Sequence, residues 1–438
     1  MPGKEQTAEG IIRQLRGKGF QAYLVGGCVR DLMMGVSPRD YDIATDALPE
    51  EVSRIFPETI PVGIQFGVQL VIQQENQHEV ATFRSDHRYE DGRHPTEVRY
   101  SKSAQEDVER RDFTVNGLLF DPLENKVLDF VNGQQDIKQR VIRTIGDAET
   151  RFREDHLRLM RAVRFASRLD FSIHPETFAA LRKLAPSIQS VSAERVRDEI
   201  LKILTEGGAR RGFKLLDETG LLHEVLPEVE KMKGVEQPPQ FHPEGDVWVH
   251  TLMMLAQLES PTPTLALGVL LHDVGKPPTF SVSDRIRFNN HAEVGTRMAE
   301  EICGRLRLPT RVTERVCELI RHHLRFKDFP QMRPAKQKRF LRMDGFEEHL
   351  ELHRIDCSSS HGDLTNYELA RKMLAETPAE DIRPVPLITG RDLIEQGYQP
   401  GPLFKEILSA VEDAQLEGTL HSQPEALRLI REKFPRKN

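Results

Sequence analysis

The sequence predicts an α+β fold: an N-terminal head of mixed sheet and helices, then an all-α neck, body and tail. Three observations predict it. Up to about residue 145, short apolar runs of strand character alternate with glycine-containing and polar turns. From about residue 147 the pattern turns long and amphipathic, with few strand signals. At 438 residues the chain exceeds one ordinary core, so several domains are expected. Turn residues place breaks near Gly207-Gly208, in the VEQPPQFHPEGD loop at 235–246, and in the Pro-rich stretch 376–389. The expected segments are a head (1–146), a neck (147–210), a body (211–370) and a tail (371–438).

Composition sets bounds. With 61 Lys+Arg against 68 Asp+Glu the formal charge is −7, so bulk charge does not signal nucleic-acid binding. An RNA partner requires a local basic face, because phosphate neutralisation drives affinity. Arg151, Arg153, Arg158, Arg161, Arg164 and Arg168 offer one, as do Arg195, Arg197, Arg210 and Arg211. The four cysteines show no CxxC pairing, and the first residues are polar, without a signal-peptide core. The longest aliphatic stretch, Leu265 to Leu271, is far below the roughly 20 residues of a membrane helix. A cytoplasmic protein without membrane association is expected.

In the head, Tyr23-Leu24-Val25 reads as a strand entering the Gly26-Gly27 turn, with a helix continuing from Val29 to Met34. Such a turn brings backbone N–H groups close to a ligand, which suits phosphate; Gly27 and Arg30 are its candidate contacts. Asp40 and Asp42 follow, two apart, and so share one side of a strand. Paired carboxylates repel unless a cation binds between them. Mg²⁺ favours such oxygen ligands and completes its shell with substrate phosphates. A phosphate cradle followed by a metal-binding acid pair describes a nucleotidyl-transfer site. The segment GGCVRDLMMG…RDYDIATDA resembles the signature of class II tRNA nucleotidyltransferases, in the polymerase-β-like superfamily. That group contains the bacterial CCA-adding enzymes and the bacterial poly(A) polymerases.

Val68–Ile72 and Glu79–Phe83 read as the next strands, and Glu79 is a candidate third carboxylate. RSDHRYEDGRHPTEVR, residues 84–99, reads as a mobile polar loop. The resemblance implies that this segment helps switch the site from CTP to ATP. In ERRDFTVNGLLFD, Arg111 can reach a triphosphate, while Asp112 and Asn116 can fix the sugar or its turn; Phe113 and Leu118 read as core. DPLENKVLDFVNGQQDI reads as a hairpin and glycine turn.

The neck carries EDHLRLMRAVRFASRL. Leu157, Met160, Val163 and Ala166 form an apolar stripe, with Asp155, Arg158, Arg161 and Arg164 on a neighbouring face. A carboxylate beside a guanidinium can read a base edge: it accepts from the amino group of cytosine or adenine while Arg donates to the ring nitrogen. Uracil and guanine present the opposite pattern. Asp155 and Arg158 are thus expected to accept CTP and ATP and reject UTP and GTP without a nucleic-acid template, with Glu154 orienting Arg158 from one turn away. EDxxRxxRAxRF resembles the family's amino-acid template, which implies that Arg161 and Arg164 contact nucleotide or phosphate.

In the body, His250, His272-Asp273 in LLHDVGK and Asp356 follow the order of an HD-domain phosphohydrolase. Imidazoles and carboxylates on facing helices can hold a divalent metal that activates water. His291 and His322-His323 supply the number needed for a second ion. In the tail, Gly401-Pro402 precedes an amphipathic helix whose first turn, with Lys405, could hold an RNA phosphate.

The resemblance implies CCA addition to tRNA 3′ ends from CTP and ATP, with Mg²⁺ in the head, a second divalent metal in the HD domain, and tRNA bound at its 3′ end and elbow. No obligatory protein partner is expected. Competing readings are a poly(A) polymerase, a CC-only or A-only enzyme, and an HD phosphohydrolase with an RNA-binding head. PVGIQFGVQLV resembles the CCA-type strand and argues against the first.

Overall fold

A computed structural model describes residues 3–63, 67–89, 95–240 and 242–435. They form two compact units. One runs to Glu230 with Leu258–Pro261 and Arg305–Leu308; the other holds Lys231–Gln257, Thr262–Gly304 and the residues from Pro309.

The first unit begins with a seven-stranded sheet. Its strands are β1 (Ala22–Val25), β2 (Ile43–Thr45), β3 (Thr59–Gly63), β4 (Val68–Gln73) and β5 (Asn76–Thr82). After the separate pair β6 (Arg84–Tyr89) and β7 (Pro95–Tyr100) come β8 (Leu118–Asp121) and β9 (Lys126–Asp129), giving the order β3-β4-β5-β2-β1-β8-β9. β2 runs antiparallel to β1, with Leu24 opposite Ile43, and parallel to β5, with Ile43 opposite Val80. This register sets the site. The glycine turn leaving β1, the residues entering β2 and Glu79 on β5 all lie at one end of the central strands. Val25 N–H donating to the Asp42 carbonyl (3.0 Å) locks that end. Val25, Ala44, Phe83, Val108 and Leu119 pack a buried cluster beneath it.

One expectation is corrected here. The described parts of the segment, residues 84–89 and 95–99, are not a plain loop: β6 and β7 pair antiparallel, Arg84 opposite Tyr100 and Ser85 opposite Arg99. A ladder satisfies main-chain donors and acceptors whatever the side chains, so polarity did not preclude pairing. Residues 90–94, like the centre of the PVGIQFGVQLV motif at 64–66, lie outside the described residues.

Helices dominate from Ala148 onward, broken only locally among the described residues. Val141–Ile142 pairs with Ser172–Ile173, and Phe280–Val282 with Ile286–Phe288. The apolar stripe of the helix Leu157–Arg168 is fully buried at Met160, Val163 and Ala166. Gly208 sits at φ +76°, and a Cβ there would lie 2.3 Å from the Ser167 carbonyl oxygen, so two helices meet at a position no other residue fits. The second unit packs Val247–Leu255, Pro263–Leu271, His291–Arg305, Thr310–His322 and Phe346–Ser359, with a separate core of Phe326, Phe329, Phe340 and Phe346. No helix among the described residues is long and apolar enough to cross a membrane.

Candidate active site and metal centre

Gly26 adopts φ +75° and delivers the chain into the helix Gly27–Met33. The Arg111 guanidinium lies against this turn, 3.6 Å from where a Gly26 Cβ would stand; it is the positive φ, not the space, that calls for glycine. Arg30 is 3% exposed; Nη1 donates to Asn116 Oδ1 (2.7 Å), and Nε and Nη2 donate to Asp31. The structure places it beneath the turn as a brace.

Asp40 and Asp42 lie in the extended lead-in to β2, and their settings differ. Asp40 is exposed and paired with Lys4 Nζ at 2.6 Å. Asp42 is partly buried. Burial, then the Glu79 and Asp40 charges, push its carboxyl up to about 6 against the pull of Arg111. An acid whose proton affinity is raised by two neighbouring carboxylates fits a divalent cation, which removes the repulsion.

The segment 110–112 ties this site to the neck. Asp107 receives Arg110 Nη2 (2.7 Å) and Arg111 Nη2 (2.8 Å); the two arginines hold its buried carboxyl, which desolvation alone would raise, down at about 2. The Arg110 carbonyl accepts from Arg158 Nη2 (3.0 Å), and Asp112 pairs with Arg161 at 2.6 Å. Arg158 is further fixed by Glu154 Oε2 (2.6 Å) and the Arg151 carbonyl (3.0 Å). Asp155 precedes the helix of Arg158 instead of riding on it, and both its oxygens contact Arg195 Nη2, at 3.0 and 3.2 Å. Arg164 is buried against Glu199 (2.7 Å). The sequence stripe is therefore a set of separate ion pairs: Arg158 pairs locally with Glu154, whereas Asp155, Arg161 and Arg164 pair with residues distant in the chain. Arg195, seen in the sequence only as part of a basic face, is the partner that periodicity gave no means of finding.

In the second unit, His250, His272, Asp273 and Asp356 come together. His250 Nε2 lies 3.1 Å from Asp356 Oδ1, and His272 Nε2 3.0 Å from Asp273 Oδ2. His291 and His323 join at Asp273 Oδ1, at 3.6 and 4.0 Å, and their Nε2 atoms are 3.3 Å apart. His322, the other half of the doublet, turns toward His349 instead. Lys276 Nζ reaches Asp273 Oδ2 (2.6 Å) and Gln237 Oε1 (2.6 Å). Sequence reading passed over Lys276, Glu244 and His242. The Lys, one helical turn after the His-Asp pair, was the one legible signal.

Burial opposes the Asp273 carboxylate, yet His272 and Lys276 hold its pKa well below the ordinary range. Burial and the neighbouring His272 bring His323 down to about 4, so it is a neutral lone-pair donor. Desolvation opposes charge on His250, but Asp356 and Glu244 on its two sides raise it to about 9. Both ring nitrogens of His250, Nε2 of His272 and Oδ2 of Asp273 are buried without an aligned hydrogen bond. Converging orphan nitrogens and carboxylate oxygens fit a divalent ion. Three overlapping groups among the described residues, His242-Glu244-His250, His250-His272-Asp273 and Asp273-His291-His323, have donor atoms close enough for one ion each.

Fold and site define a nucleotidyltransferase-type head joined through a helical segment to an HD domain. The Poly A polymerase head domain matches residues 22–143, the probable RNA and SrmB-binding site of polymerase A matches 170–233, and the HD domain matches 247–352. The CCA-adding enzyme of Geobacillus stearothermophilus is 48% identical over 216 residues, 49% of this chain and 53% of that one. That of Enterococcus faecalis is 41% identical over 219 residues, 50% and 54% of the two chains. The chain spans about half the length of these curated relatives. The crystal structure of Bacillus stearothermophilus CCA-adding enzyme in complex with CTP matches with TM-score 0.76 and 31% identity, over 99% of this chain and 98% of that chain. The Thermotoga maritima CCA-adding enzyme complexed with tRNA shares the fold, with TM-score 0.60 and 19% identity over 97% and 94%. The chain belongs to the CCA-adding enzyme family.

Proposed function

We propose that this protein adds C, C and A to tRNA 3′ ends from CTP and ATP without a nucleic-acid template. The observation that carries the reading is the 110–112 segment. One stretch of backbone holds Arg158 by the Arg110 carbonyl, sets Arg111 near Asp42, and anchors Arg161 through Asp112. Base selection and phosphate chemistry are thereby fixed relative to one another, as an oriented transfer requires. Asp40, Asp42 and Glu79 would hold divalent cations, Mg²⁺ by preference; when bound, such ions would supply activation of the RNA 3′-hydroxyl and charge neutralisation for the pyrophosphate leaving group. Gly27 and Arg111 contact the triphosphate, and Arg30 keeps the turn in place through Asn116. Asp155 accepts from the base amino group and Arg158 donates to the ring nitrogen. Arg164 shapes that helix through its buried pair with Glu199, which costs about 3–5 kcal/mol to break from one side, and Arg161 through its part-exposed pair with Asp112.

The functional segments proposed are head 1–146, base-selecting neck 147–210, HD body 211–370 and tail 371–438, in a cytoplasmic protein. Pro402 opens the helix Pro402–Leu416, whose exposed N–H groups suit a phosphate of the tRNA elbow. The body is a divalent-metal phosphohydrolase for simple phosphoesters, such as the 2′,3′-cyclic ends of damaged RNA. This second activity is favoured by the orphan donors around Asp273.

The test uses tRNA transcripts ending at the discriminator base, at C and at CC. Each receives CTP, ATP or both, and products are sized at single-nucleotide resolution. Stepwise completion to CCA supports the reading. Runs of A, or no extension, refute it.

A further inference from the structure

Three of the four clustered histidines are oriented by their own backbone. The Nδ1 of His272 lies 3.0 Å from the Val269 carbonyl oxygen, that of His291 2.9 Å from Phe288, and that of His323 2.6 Å from Ile320. Each acceptor stands three residues earlier. The fold itself thus places the proton on Nδ1 and leaves Nε2 as the lone-pair nitrogen facing Asp273.

His250 departs from this pattern. It is fully buried in the helix Val247–Leu255, and its Nδ1 neighbour is a side chain: Oε1 of Glu244, at 2.7 Å. Glu244 lies before that helix, with its side chain only 4% exposed, and the same Oε1 contacts His242 Nδ1 at 2.9 Å. Its other oxygen is buried without a hydrogen bond. Burial opposes this carboxylate, but the contacts with His250 and His242 outweigh that cost and hold its pKa below the ordinary value. On the far side of the ring, Nε2 faces Asp356.

We propose that Glu244 is the positioning residue of the metal centre: its carboxylate orients His250, holding the proton on Nδ1 and presenting Nε2 to the ion. Glu244 replaces with a side chain what the backbone provides for the other three histidines, and its charge raises the basicity of the ligand. Such outer partners are worth about 10–100-fold in metal affinity. His242 shares the oxygen and is a spectator. The inference rests on the metal-centre reading above.

The test is calorimetric titration of Mn²⁺ into the full chain freed of metal by chelation. An Asp40→Ala/Asp42→Ala background silences the head site. Glu244→Ala is expected to weaken binding about 10–100-fold, and Glu244→Gln, which keeps an acceptor oxygen but loses the charge, to weaken it measurably but less. His242→Ala is expected to leave affinity and stoichiometry as they are in that background. The graded order is what a merely structural role does not produce, provided the metal-free variants share one unfolding midpoint. Unchanged affinity in either Glu244 variant overturns the inference, and the Gln variant decides if the Ala variant fails to fold. Loss of a bound equivalent in His242→Ala also overturns it, since residues 242, 244 and 250 then form a metal site of their own. No Mn²⁺ binding in the Asp40→Ala/Asp42→Ala parent would instead remove the metal-centre reading itself.

Discussion

Gly275→Ala tests whether the HD cluster is set by backbone packing, because it alters no candidate ligand. A Cβ on Gly275 would stand 2.2 Å from the His291 carbonyl oxygen, 2.5 Å from the Gly295 nitrogen and 2.9 Å from the Gly295 Cα. All three contacts are backbone, so no side chain can swing aside. Ordinary contact begins near 3.4 Å, and the start of the helix His291–Arg305 must retreat by roughly 1 Å, at a cost of about 1–3 kcal/mol. His291 is the first residue of that helix and moves with it, away from Asp273. Sites of this kind tolerate about 0.5 Å. The expected result is at least ~10-fold weaker Mn²⁺ binding by calorimetry and a matching loss of phosphoester hydrolysis. Nucleotide addition to tRNA, assayed on the same preparation, should be unchanged. Wild-type metal affinity in Gly275→Ala would refute the claim that the Gly275–Gly295 approach positions His291.

Other outcomes follow from the same geometry. Asp40→Ala/Asp42→Ala should abolish nucleotide addition and spare hydrolysis, whereas His272→Ala/Asp273→Ala should do the reverse; parallel assays showing both activities lost together would contradict two separate sites. Asp107 has its carboxyl lowered from 3.8 to about 2. Its stabilisation, about 2 kcal/mol, is present above pH ~4 and lost as pH falls through ~2. Denaturant unfolding of wild type and Asp107→Asn from pH 5 to 2 should therefore converge at the acid end. Asp42 has the opposite sign: its pKa is raised from 3.8 to about 6, so its contribution is present below pH ~4 and is lost as pH rises through ~6. In chelator at neutral pH, Asp42→Asn should unfold later than wild type, by up to about 3 kcal/mol. Added Mg²⁺ should narrow the gap, and equal midpoints throughout would discount the repulsion among Asp40, Asp42 and Glu79.

Local chemistry was legible wherever a single stretch of chain carried it. Gly26-Gly27 had to be a turn because only glycine accepts the φ of +75° found at Gly26. The apolar stripe at Met160, Val163 and Ala166 had to be buried because helical period put it on one face. Pro402 had to open a helix because its φ is already set. The pairing of residues 84–99 was not legible, since a ladder's main-chain bonds leave no mark on side-chain polarity.

By itself the sequence determined which residue types stand in which order, and with that the helix and strand periods, the acid pair and the His-Asp motif. Tertiary structure decided the partners. Arg195 for Asp155, Glu199 for Arg164, Glu79 beside Asp42, Glu244 against His250, and His323 in place of His322 at Asp273 all arise from chain segments brought together by packing. The reason is range. Propensity, capping and turn geometry act within a few residues, whereas charge pairing and donor convergence depend on distances of a few ångströms that only the assembled core imposes.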